Sequence, residues 1–231
     1  MMNTKLNYTL TILIYILSTT IMSYCFAQEE NVRPGINDYY YDAQFEQWLN
    51  TFESPGREVF DKKEVILQSL HIKTGMKIAD IGAGTGLYTI PFAQQVGEKG
   101  IVYAVDISDD FIQNIKQRAK HHDLKNVVGH INNQKEIGLA QNSIDLAFIC
   151  NTYHHFEYPL TTLKSIYQAL LPGGKLVIID YKRDPKVSSS WVMGHVRTHK
   201  KSVIKEVESI GFQLIDDNNI LKQNYFLSFS K

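Results

Sequence analysis

Cysteine is nearly absent: Cys25 and Cys150 are the only thiols in 231 residues. That excludes a scaffold built on disulfides, which needs several paired cysteines in a small chain. Neither charge is in surplus, since 24 Lys+Arg balance 24 Asp+Glu. Without a basic field there is no electrostatic footprint for nucleic acid, and no nucleic-acid partner is expected. No Cys/His/Asp cluster has metal-ligand spacing in the sequence. His195 and His199 sit four apart but lack a third partner, so no metal is expected. There is no internal repeat and no low-complexity tract. What remains is an ordinary globular composition, 44% hydrophobic, in a chain long enough for one domain with a substantial core.

The N-terminus departs from that average. Leu10 to Met22 is mostly Ile, Leu, Thr and Tyr and carries no charge. Lys5 precedes it, and Cys25-Phe26-Ala27 and then Gln28-Glu29-Glu30 follow. The segment resembles a secretory signal peptide cut after Ala27. It is short for a membrane span of about 20 residues, although Leu6 to Phe26 would serve as an uncleaved anchor. The single lysine before it and the acids after it bias the rest of the chain outward. The expectation is an exported protein (periplasmic or secreted) or one held to the membrane only by its N-terminus, with a cytoplasmic chain as the alternative. Cys150 ends the apolar run Leu146-Ala147-Phe148-Ile149 and reads as a core thiol.

Residues 80–86 read Asp-Ile-Gly-Ala-Gly-Thr-Gly, directly after the strand-like Met76 to Ala79. Glycine lacks a Cβ, so backbone there can approach a ligand and take angles other residues avoid. A following helix then offers free N–H groups. Two phosphate loops are excluded by what is missing. The Walker loop ends Gly-Lys-Ser/Thr, but Leu87 follows Gly86. The dinucleotide fingerprint G-x-G-x-x-G wants glycine at position 87, which disfavours an NAD-dependent dehydrogenase.

Hydrophobic periodicity places strands at Ile101–Val105, Asn126–Ile131, Ile144–Cys150, Lys175–Asp180, Phe212–Ile215 and Tyr225–Phe229, besides the one entering the glycine loop. Helices alternate with them, over residues 87–96, from Ser108 as an N-cap, and from Leu160 to a stop at Pro172-Gly173-Gly174. Phe45, Trp48, Leu49 and Phe52 mark one face of an earlier helix, and another follows Pro55-Gly56. The pattern predicts a doubly wound, mostly parallel α/β sheet with helices on both faces. Only Asp216 to Asn224 separates the last two strands, so they form an antiparallel hairpin.

The Asp80–Gly86 pattern resembles motif I of the Rossmann-like S-adenosylmethionine (SAM)-dependent methyltransferases. Phe52-Glu53-Ser54-Pro55-Gly56-Arg57-Glu58 resembles a bacterial subgroup of that family with a leader. The resemblance implies seven strands and divides the chain into a leader at 1–27, an N-terminal extension at 28–58 and the methyltransferase domain at 59–231. Tyr39 to Tyr41 and the helix after them are expected to fold over the cofactor as a lid.

Ligands of open α/β sheets bind beyond the carboxyl ends of the strands. That selects Asp80, Gly82, Ala83, Gly84, Thr85 and Gly86 around the loop, and Asp106, at the end of the next strand, for the ribose hydroxyls. Ile107 gives the adenine an apolar floor. The resemblance adds Asn133, upstream of Ser143-Ile144-Asp145, as the adenine contact, and Asn151 at the methionine end. Asn151-Thr152-Tyr153-His154-His155-Phe156 with Pro159 is similar to an aromatic-His-His segment of the family. His154 and His155 are adjacent, so they are not expected to face one target alike. Tyr153, His154 and Asp180 are the candidate catalytic residues, at strand ends. SAM carries an activated methyl, so the protein mainly has to position the reactants. The expected function is methyl transfer to a small-molecule acceptor, with a SAM-binding sensor that performs no turnover as the alternative.

Overall fold

The computed structural model describes residues 29–231, and the leader expected over 1–27 lies outside them. Among the described residues four short helices come first: α1 (Asp38–Tyr41), α2 (Phe45–Phe52), α3 (Glu58–Asp61) and α4 (Lys63–Ser69). The alternating part follows as β1 (Lys77–Ile81), α5 (Thr89–Val96), β2 (Ile101–Asp106), α6 (Asp109–His121), β3 (Val127–Ile131) and β4 (Ile144–Cys150). Then come a 3-10 turn (Tyr153–His155), α7 (Pro159–Ala169), β5 (Leu170–Tyr181), α8 (Ser190–His195), α9 (Lys200–Ser209), β6 (Gln213–Asn218) and β7 (Asn224–Ser230).

The seven strands form one sheet in the order β3-β2-β1-β4-β5-β7-β6. Pairing is parallel from β3 to β5, and β7 runs antiparallel to both β5 and β6. The fold is therefore the Rossmann-like α/β sheet the sequence pattern predicts, including its antiparallel ending. The first half of the chain adds strands outward from β1 through β2 to β3. The second half restarts on the other side with β4, which makes the β1–β4 border the switch point where such sheets bind ligands.

Side chains alternate across each strand, and the two faces have separate cores. Ile78, Leu146, Phe148, Val177 and Ile179 face Ile66 and Leu67 of α4 and Phe92 of α5. Ala79, Ile81, Ala147, Ile149, Leu176 and Ile178 face Leu163 and Ile166 of α7 and Val203 and Val207 of α9. Burial on both faces is why the central strands read as continuous apolar runs. The predicted stripe on α2 also finds a partner: Phe45, Trp48, Leu49 and Phe52 cluster with Phe111 of α6.

Several boundaries differ from the sequence reading. The helix expected to run to Pro172 ends at Ala169, and Leu170 already belongs to β5. There it pairs with Ile144 ahead of a register shift in the β4–β5 ladder. Strand pairing supplies hydrogen bonds that outweigh the helical propensity of two leucines. The helix expected from position 87 begins at Thr89, because Gly86 N–H closes a tight turn on the Ala83 carbonyl. The stretch around His195, for which the sequence pattern predicts no helix, holds α8, capped by Ser189, whose hydroxyl accepts from Val192 N–H.

Glu58, at the start of α3, joins the N-terminal helices to the turn before β7. Its carboxylate accepts from the backbone N–H groups of Lys222, Gln223 and Asn224 and from the Asn224 side-chain amide. Burial pushes its pKa up, but these donors outweigh that effect and hold it below the ordinary value. A lowered carboxylate pKa adds stability above the unfolded value, and that stability is lost as pH falls. Glu58→Ala is expected to cost about 1 kcal/mol at neutral pH, discounted for its half-exposed position. Thermal unfolding of both proteins across pH checks this, and the gap between them should shrink below about pH 4.

Candidate functional site

Beyond the carboxyl ends of β1, β2 and β4 lies a cavity that opens to solvent, at the place where sheets of this kind bind ligands. Asp80, Gly82, Ala83, Gly84 and Thr85 form one wall. Gly82 has φ +70°, and a Cβ added there would lie 2.2 Å from the Thr152 side chain. No other residue fits that turn. Gly86 is a packing glycine instead. Its missing Cβ makes room for Ile115 of α6 at 3.0 Å, and it does not line the cavity.

Asp106 closes β2 with both oxygens engaged. One accepts Gly84 N–H at 2.8 Å and the other Ser108 N–H at 3.0 Å. The acid at the second strand end thus holds the glycine loop in place while lining the cavity with Ile107. Asn133 also reaches the cavity, though its side-chain oxygen is taken by Lys135 and Glu136 N–H groups, leaving the NH₂ without a partner among the described residues. Asn151 is the most informative. It follows β4 in a left-handed conformation, φ +51°. Both polar atoms of its amide are buried without a partner among the described residues. An unpaired buried amide costs about 1–3 kcal/mol, so such a group at a cavity wall calls for a ligand.

Asp80 points to the α5 face and accepts the Thr89 hydroxyl at 2.6 Å. Burial, chiefly, raises its pKa to about 7 and that of Asp106 to about 6.

Asn37 lines the cavity and was not singled out in the sequence. Phe52, Arg57, Thr152 and His155, named there only within motifs, line it too, as does Tyr40 of the segment expected as a lid. Glu53 explains how the N-terminal segment is fixed. It accepts the Thr85 hydroxyl at 2.8 Å and pairs with Arg118, which also donates to the Thr85 carbonyl. The Arg57 guanidinium lies 4.9 Å from the Phe52 ring and donates to the Phe52 carbonyl. The motif from Phe52 to Glu58 was legible as a motif, but its contacts were not.

The three candidate catalytic residues do not face the cavity. The Tyr153 side chain is buried in the core beneath it, and its hydroxyl hydrogen-bonds Glu206 at 2.6 Å. Burial, reinforced by the Glu206 carboxylate, pushes its pKa well above the ordinary value, so it stays protonated. Asp180 is fully buried and accepts from His154, through the backbone N–H at 2.9 Å and ring Nδ1 at 2.7 Å. The strand ends were located correctly, but the 3-10 turn after β4 buries Tyr153 and His154, and Asp180 meets His154 from near the end of β5. His155 is the member of the pair that lines the cavity. Its ring lies 4.3 Å from that of His154, and both rings lie 5.1 Å from His195, so adjacency in sequence does not separate them.

A methyltransferase-domain family model matches residues 72–224, which hold the glycine loop and every strand end around the cavity. The chain belongs to this family. Its Rossmann-like class uses SAM as cofactor. The C-methyltransferase UbiE of ubiquinone and menaquinone biosynthesis from Blochmanniella floridana is 31% identical over 120 residues, 52% of this chain and 47% of that protein. Demethylmenaquinone methyltransferase from a Geobacillus strain is 30% identical over 118 residues, 51% of this chain and 50% of its own length. The chain thus spans about half the length of the curated relatives it matches. A SAM-dependent methyltransferase from Aquifex aeolicus superposes with TM-score 0.71 at 26% identity, covering 80% of this chain and 97% of that one.

The residues present fit SAM. Asn151 offers a buried amide without a partner among the described residues, in the wall of a cavity at the switch point. The raised pKa of Asp80 has a stability consequence. Ionising it in the fold is unfavourable, so its contribution declines as pH rises from about 4 to about 7. Asp80→Asn keeps an acceptor for Thr89 without the charge. It should gain roughly 1–3 kcal/mol at pH 8 and little at pH 4, read by chemical denaturation at both pH values.

Proposed function

We propose that this protein transfers the methyl group of SAM to a small, apolar, ring-bearing acceptor. The observation that carries the reading is the unpaired Asn151 amide in the wall of a cavity at the switch point. SAM supplies a methyl on a sulfonium, already activated for in-line displacement. The chain's own part is to bind and orient. Asp106 holds the ribose hydroxyls while keeping Gly84 in place, Asn151 holds the methionine end, and the Asn133 NH₂ pairs with the adenine edge above Ile107.

The titratable groups in the wall support positioning over proton abstraction. Burial drives His155 down to about 2 and Tyr40 up to about 12. It also pushes the Cys150 thiol up, out of its reactive range. None of the three is a base near neutral pH. Asp80 and Asp106 titrate closer to it, but their oxygens are engaged by Thr89 and by the Gly84 and Ser108 N–H groups, which favours an acceptor that needs little help losing a proton. Tyr40, Phe52, Phe111 and Phe156 line the cavity, and their rings suit a flat apolar acceptor. We place the extension through Tyr40 and Phe52 over the bound cofactor as a lid, pinned by the Glu53 contacts. The leader-like segment supports a domain outside the cytoplasm or on an N-terminal anchor, with a cytoplasmic chain as the alternative; N-terminal sequencing from fractionated cells would test this.

Asp106→Ala should weaken SAM binding at least tenfold by calorimetry and abolish labelled-methyl transfer to a panel of quinol and phenol acceptors. Unchanged SAM affinity in that variant would sink the cofactor assignment. Tight SAM binding with no labelled product from the panel or from cell extract would favour a sensor. Affinity in the native protein should fall as pH drops through about 6, where Asp106 takes up its proton.

A further inference from the structure

His154, His155 and His195 place one ring nitrogen each within 4.8 Å of one another. The arrangement around them has the features of a metal site. His154 Nδ1 lies 2.7 Å from the buried Asp180 carboxylate, so Nδ1 carries the proton and Nε2 the lone pair. His155 Nδ1 lies 3.2 Å from the Asn37 side-chain oxygen, which fixes the same tautomer. An oxygen acceptor behind each ring is the usual support of metal-bound histidine. His155 Nε2 and His195 Nε2 are 3.4 Å apart. Two nitrogens bound to one tetrahedral zinc at 2.0–2.1 Å are separated by about that distance. Trp191 stacks on His195 at 4.3 Å and limits how the ring can turn.

We propose that these three imidazoles form a binding site for a divalent transition-metal ion of the zinc class at the edge of the cofactor cavity. Imidazole is the ligand such ions prefer, and three protein ligands leave a fourth position for water or an acceptor oxygen. His155 lines the cavity, so the ion would sit in its wall. Arg33, which donates to the Gly194 carbonyl beside His195, is the one opposing charge identified near the rings. The Asp180 carboxylate behind His154 offsets it. Sequence spacing excluded a metal because His155 and His195 lie 40 residues apart; folding α8 against the turn after β4 closes that distance.

The test uses the full chain, stripped with chelator and titrated with Co²⁺, then with competing Zn²⁺, in the absence of SAM. One equivalent should bind with the intense visible bands of a four-coordinate ion, and Zn²⁺ should erase them. His195→Ala, at a half-buried position, should lose those bands while unfolding at a similar temperature without metal. Asp180→Asn, a positioning change, should weaken binding 10- to 100-fold. A His121→Ala/His122→Ala control, away from the cluster, should bind like the native protein. No saturable binding, or native-like binding by His195→Ala and His155→Ala, would overturn the site. Because the readout is the cobalt spectrum, failure here leaves methyl transfer untouched, and failure of methyl transfer leaves the metal site to be judged alone.

Discussion

Everything at the site depends on how the backbone leaves β1. At Gly82 the chain turns through a left-handed conformation hard against Thr152, where a single added carbon would collide. That passage brings the ends of β1 and β4 together at the switch point. It also aims the loop so that Gly84 N–H reaches Asp106 on the neighbouring strand. The cavity is the space these constraints leave open. Asn151, in its own left-handed turn after β4, faces into it.

The N-terminal segment completes the walls through charge. Glu53 grips Thr85 and Arg118, while Glu58 grips the turn before β7. Arg57 lies between them against Phe52. Within a few residues, one segment fastens the glycine loop, α6 and the C-terminal hairpin. Asn37 and Tyr40 also line the cavity. Burial sets the electrostatics of the same region. It raises the two acids, Asp80 and Asp106, and lowers the imidazole that lines the wall, His155. The resulting wall binds through hydrogen bonds and shape, and the groups in it that take up a proton nearest neutral pH are the two buried acids.

Much of the fold was legible because its causes are local. Alternation and apolar runs reported the strands of the sheet. The three glycines reported the turn, since few other sequences tolerate that backbone. Misplaced boundaries were those where a partner strand decided: Leu170 and Leu171 suit a helix until β4 offers them a ladder. At the site, Asp106 and Ile107 were found by position at a strand end and Asn133 and Asn151 through the family resemblance, and all four line the cavity. Tyr153, His154 and Asp180 also sit at strand ends but do not line it.

By itself, the sequence determined the α/β alternation, the glycine turn and the family's signature, because these follow from periodicity and from the steric needs of single residues. Tertiary structure decided which side of a strand end each polar group faces. It showed that Asn151 is left unpaired and that Glu53 clamps the loop. It also brought three histidines from the turn after β4 and from α8 into contact. Those outcomes depend on distances between residues far apart in the chain, which sheet order and helix packing set and local sequence does not encode.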